Sequence, residues 1–211
     1  MNVQITNRYK RVVDEISNLN WLGLDRNELQ AACRAYFYFS KQFVDAVHIA
    51  CDLYPSDQNL ISLREGECDT DNLSPYPGIA AKGEKMNHDE FMRRVVESAS
   101  LDQAARERVD ALGREYLAEV SLRDPLTRAM ALSSYEDGGL EAVFGAILKA
   151  PDWNEPSLGA FKHFLVEHIK LDSGEDSHGS LCRHLVADDR ILPLWEAFKN
   201  LLVTAAPRLA A

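Results

Sequence analysis

From Arg26 to Tyr54 the chain reads "RNELQAACRAYFYFSKQFVDAVHIACDLY", with apolar side chains recurring at helical spacing until Pro55 stops the pattern. A helix of that length must form a main wall of whatever core the chain builds. Asp25 and Glu28, three residues apart at its start, have the spacing of a capping box. Nowhere does an alternating apolar and polar run bounded by turn residues extend far enough to suggest a sheet, so the expected fold class is all-α.

The other segments repeat this pattern. A short helix, "DQNLISLRE", leads into residues 66–87, "GECDTDNLSPYPGIAAKGEKMN", a long loop with three Gly and two Pro of the kind that serves as a lid or binding loop. Helices resume at "HDEFMRRVVESA" and "DQAARERVDALGREYLAEVS". A third runs through "DPLTRAMALSSYEDGGLEAVFGAILKA", with Asp124 as cap and Pro125 in the first turn, and ends before Pro151. The next opens near "NEPSLGAF" with Asn154 as cap, and "DDRILPLWEAFKNLLVTAA" closes the set.

With 211 residues and 46% hydrophobic side chains, the expectation is one domain over 1–211 around a single core. The net charge of -10 with scattered basic residues argues against nucleic acid and against an anionic membrane surface as partners. Four cysteines far apart, without a CxxC pair, fit reduced thiols, and "MNVQITNRYKRVV" lacks the apolar core of a signal peptide. No run approaches the length of a membrane span, and a cytoplasmic location is expected.

The densest chemistry lies in "EHIKLDSGEDSHGSL", residues 167–181. His168 and Asp172, four apart, share a helix face within about 40° and can bind one metal ion. On an unbroken helix His178 falls about 80° to the other side of His168, whereas Glu175 stays on the shared face. The intervening "SGEDS" favours turns and caps, so a break there would bring His178 back from a second helical segment. Either Glu175 or His178 then completes the set.

At these residues the chain resembles the heme-oxygenase-like diiron oxidases and oxygenases, seven-helix bundles that hold two non-heme irons. That family's third core helix carries a His-x3-Asp-x2/3-His cluster; His168 and Asp172 match it, and His178 arrives late. The resemblance implies Glu136, thirty-two residues before His168 in "SSYEDGGLEAVF", as the second-helix ligand. It implies His88 in "NHDEFMRR", similar to the family's "H-x-E-L-F", as the first-helix histidine. Glu65 in "NLISLREGE" resembles the family's first carboxylate, with Glu67 and Glu84 as rivals. The likeness spans roughly residues 26 to 185, and its individual motifs are short.

Imidazole and carboxylate ligands suit iron or manganese and leave positions open for dioxygen. Glu65, Glu136 and Asp172 would balance most of the charge of a ferrous pair. The resemblance therefore implies two Fe2+ per chain, dioxygen as co-substrate, a small amine-, amino-acid- or fatty-acid-derived substrate, and a homodimer as the common assembly. Two other readings stay open: a metal-free bundle enzyme of the thiaminase-like or quinone-cofactor-synthase type, and a non-catalytic helical adaptor. His48, His163 and His184 are expected to be structural or solvent-facing, and the "YFYF" run at 36–39 to be mostly core.

Overall fold

A computed structural model describes residues 8–68, 75–172, 181–182 and 184–211. Its α-helices are α1 (Arg8–Ser17), α2 (Arg26–Leu53), α3 (Gln58–Cys68), α4 (His88–Ser98), α5 (Gln103–Ser121), α6 (Pro125–Ser134), α7 (Leu140–Ile147), α8 (Pro156–Asp172) and α9 (Leu192–Ala205). Short 3-10 turns at Trp21–Gly23, Asp189–Ile191 and Pro207–Ala210 join or end them. Among the described residues the regular structure is helical, apart from an isolated antiparallel bridge between Tyr76 and Ala80.

Helix α2 is the central rod and packs against α3, α4, α5, α6, α8 and α9. Seventeen of its 28 residues are buried, far more than the single apolar stripe of a surface helix, and Ala31, Ala32, Ala35, Ala46 and Ala50 let neighbours approach closely. The Asp25 carboxylate accepts the Glu28 N–H at 3.0 Å, so the start of α2 is capped as its spacing predicts. The second half of the capping box is absent: the Glu28 carboxylate accepts instead from the Arg208 backbone at 3.0 Å, fastening the C-terminal turn to α2.

Two fixtures hold the rods in register. Arg34 of α2 forms a two-pronged ion pair with Asp110 of α5, through Nε at 2.6 Å and Nη2 at 2.8 Å, and the Tyr38 hydroxyl donates to the same carboxylate. Gly113, one turn further along α5, leaves the space that the Tyr38 ring fills. Lys199 of α9 reaches Glu15 of α1 at 2.8 Å.

Several elements depart from expectation. Helix α1 is an addition, built on buried Tyr9, Val12, Val13 and Ile16. Helix α3 runs past Glu65 to Cys68, shortening the connection that follows it. Helix α8 starts at Pro156, and Glu155 caps it by accepting the Leu158 N–H at 3.1 Å, so Asn154 is not the cap. The expected break after Asp172 lies outside the described residues.

The described part of the loop is packed down. Arg94 of α4 donates to the Ile79 carbonyl at 2.9 Å and pairs with Glu84 at 2.8 Å, while Ile79, Ala80 and Met86 are buried. The Tyr76 ring lies 5.1 Å from that of His163 on α8.

Candidate metal centre

Three helices deliver one polar side chain each to a shared interior point. In α3 the buried positions are Leu60, Leu63 and Glu67, the i, i+3, i+7 stripe that faces the core. Glu67 therefore points inward and is 2% exposed, whereas Glu65, two residues back and on the other side of the helix, is exposed. His88, the first residue of α4, is 3% exposed, and His168, in the last turns of α8, is 9% exposed.

These three side chains meet at one nitrogen of His88. His88 Nδ1 lies 2.5 Å from Glu67 Oε2, a separation that places a proton between them, with the imidazole donating to the carboxylate. His168 Nε2 lies 3.0 Å from the same His88 nitrogen. The other ring nitrogen of His168 sits 2.8 Å from the Phe164 carbonyl, which can only accept, so Nδ1 carries the proton and Nε2 presents its lone pair to the group. A backbone carbonyl fixing one nitrogen of a histidine and leaving the other as donor atom is the usual arrangement around metal-binding imidazole.

Glu136 enters from the run between α6 and α7. There the helix widens into a π-helical turn, Tyr135–Gly139, marked by the Leu140 N–H bonding back to the Tyr135 carbonyl. Gly138 adopts φ +82°, which L side chains rarely take, and a Cβ on Gly139 would run into the Ser134 carbonyl. The two glycines thus permit the turn that inserts Glu136, Leu140 and Phe144 into the wall of the same cavity as Glu67, His88 and His168. Inserted π turns of this kind are frequent at functional sites.

The cavity itself is about 20 Å3, enough for a water molecule or a metal ion and too small for an organic substrate. Apart from Ser40, its remaining wall is aromatic and apolar: Tyr36, Phe43, Leu140, Phe144 and Phe164, with the Phe164 ring centred 4.0 Å from that of His168. Carboxylates in such surroundings cost several kcal/mol unless they are hydrogen-bonded, paired or bound to metal.

The donor set fits a metal ion. One oxygen of Glu67 and one nitrogen each of His88 and His168 lie within 4.8 Å of one another. Two donors at right angles on an ion with bonds of about 2.1 Å stand roughly 3 Å apart, and the two histidine nitrogens are 3.0 Å apart. Nitrogen and oxygen donors without sulfur suit divalent transition metals such as iron, manganese or zinc.

Of the residues the sequence nominates, His88 and His168 meet, and Glu136 lines the same cavity. Glu65 does not, and Glu67 stands in that place. Glu84 is tied to Arg94 on the loop, and Glu90, within the "HDEF" motif, is held at about 2 by its hydrogen bonds from Arg93, with Arg94 adding to the effect. Asp172 ends α8, but its side chain and all of Glu175, Asp176 and His178 lie outside the described residues. Tyr36 and Ser40 of α2 line the cavity and carry no motif that would have nominated them. His48 is exposed, and His184 pairs with Asp57 at 2.8 Å away from the group.

Among the described residues no helix is long and apolar enough to cross a membrane. Comparison with known proteins finds no matching family model, no similar curated protein and no similar solved structure.

Proposed function

We propose that this chain is a non-heme diiron, dioxygen-dependent oxidase or oxygenase acting on a small organic molecule, built as a heme-oxygenase-like bundle. The observation that carries the proposal is the convergence of buried Glu67, His88 and His168 on one point, with Glu136 in the wall of the same small cavity. Glu67, His88, Glu136 and His168 are the proposed ligands, joined by Asp172 and by His178 or Glu175. When bound, a ferrous pair supplies the electrons that activate dioxygen.

The chain's own residues prepare for that chemistry in three ways. The Phe164 carbonyl holds the His168 tautomer, so its Nε2 needs no proton rearrangement before it ligates. The Glu67 carboxylate accepts the His88 Nδ1–H, which fixes the orientation of that ring toward the group. The rings of Phe43, Phe144 and Phe164 give the centre a largely apolar wall. Since the cavity holds only about 20 Å3, the organic substrate must be admitted by movement of this wall.

The test is to load the protein anaerobically with ferrous iron, admit oxygen, and follow the visible spectrum and oxygen consumption while screening amines, amino acids and fatty acids. A transient band whose decay one compound class accelerates supports the proposal. Iron-loaded protein that neither absorbs nor consumes oxygen refutes it. The short Glu67–His88 hydrogen bond favours a second reading, a metal-free enzyme using that pair for acid–base chemistry, and activity persisting in chelator would select it.

A further inference from the structure

A second, larger cleft opens on the other side of α2, between α2, α4, α5 and α6. Its volume is about 400 Å3, in the range of small-molecule sites, and Lys41, Gln42, Asp45, His48, Asp89 and Arg128 line it. In its wall lie buried polar atoms with no hydrogen-bond partner among the described residues: Gln42 Nε2, Arg128 Nε and Asp89 Oδ1. Gln42 is 1% exposed and Arg128 7% exposed, so bulk water does not satisfy them.

Arg128 is the informative group. Arg34 of the same α2 neighbourhood uses Nε and Nη2 together to grip Asp110, filling one edge of its guanidinium. Arg128 uses only Nη2, to Asp45, and leaves Nε on that same edge without a partner. The Asp45 side chain is 60% exposed, so its carboxylate is anchored mainly by this one contact. An exposed carboxylate held by half of a buried fork is readily replaced by one that takes both prongs.

The surrounding charges narrow the class of ligand. Lys41, His48 and Arg128 favour an anion, while Asp45 and Asp89 oppose a doubly charged one such as phosphate. Gln42 Nε2 adds a further donor for the anionic end, and Asp89 Oδ1 calls for an N–H or O–H from the other end. We propose that this cleft binds a small hydroxy- or amido-carboxylate, its carboxylate on the Nε/Nη2 edge of Arg128 in place of Asp45 and its O–H or N–H group on Asp89. None of Glu67, His88, Glu136 and His168 lines this cleft, although Asp89 follows His88 in α4.

The test is calorimetric titration of the full chain, in chelator, with L-malate as the probe and with succinate and phosphate for comparison. Malate is expected to saturate, and succinate, which lacks the hydroxyl, to bind several-fold more weakly. Asp45→Asn removes the competitor and tightens malate several-fold. Arg128→Lys keeps the charge but loses the fork, weakening malate by roughly tenfold or more. His168→Ala leaves malate binding unchanged, which separates this result from the fate of the metal centre. No saturation in either the wild-type or the Asp45→Asn protein overturns the proposal. So does phosphate binding as tightly as malate, or indifference to Arg128→Lys in a variant whose circular dichroism is native.

Discussion

Exchanging Glu67 for Gln and, separately, Glu65 for Gln distinguishes two carboxylates on one helix by burial alone. Glu67 is 2% exposed against His88, and Glu65 faces solvent. A ligand bound only by the folded chain and present at a hundredfold excess over its dissociation constant adds about 2.7 kcal/mol of stability. At about 2–4 °C per kcal/mol for a chain of this size, manganous ion should raise the melting temperature by roughly 5–11 °C. Replacing the ligand carboxylate by a neutral amide weakens affinity by about a hundredfold, judged against outer-shell changes of about 10–100-fold. The same manganese concentration then sits near the dissociation constant and contributes only about 0.4 kcal/mol, or roughly 1–2 °C. Differential scanning calorimetry with and without manganese is the assay. Glu65→Gln should retain the full rise and Glu67→Gln should lose most of it. A rise that survives in Glu67→Gln but disappears in Glu65→Gln would refute the assignment made from the α3 stripe.

Other outcomes follow from the same coordinates. Gly139→Ala places a methyl against the Ser134 carbonyl, so it should cost about 1–3 kcal/mol by thermal denaturation and weaken manganese binding by moving Glu136. Gly113→Ala intrudes on the Tyr38 ring and should cost a similar amount, about 1–3 kcal/mol, without changing metal affinity. Burial pushes the Asp110 carboxyl up, but hydrogen bonds from Arg34 and Tyr38 outweigh it and hold the group below its ordinary range. A lowered folded-state value contributes stability above the unfolded value near about 3.9 and loses it as pH falls through the folded one. Asp110→Asn should therefore cost about 1–3 kcal/mol at neutral pH, and its difference from wild type should shrink below about pH 4 in urea titrations.

Much of this architecture is legible in local chemistry. The Asp25 and Asp124 caps, the termination of α2 before Pro55 and the inward position of His168 follow from cap residues and helical spacing. The i, i+3, i+4, i+7 spacing of Tyr9, Val12, Val13 and Ile16 also writes α1 into the sequence. Glu67 is less legible because Gly66 looks like the start of a loop; packing of Leu60 and Leu63 carries α3 through it, and tertiary burial overrides the local signal. The π turn at Glu136 has no sequence rule beyond its two glycines, since the extra residue in the turn is decided by contacts such as Trp195 against Gly139. Tyr36 joins the cavity because six helices converge on α2, which no local pattern reports.

Iron stoichiometry tests the central claim most directly. Protein titrated anaerobically with ferrous iron, desalted and assayed for metal per chain should hold about two irons, and both Glu67→Ala and His168→Ala should hold far less. Wild-type protein that retains no iron, or variants that retain as much as wild type, would contradict the assignment of this buried group as a metal centre.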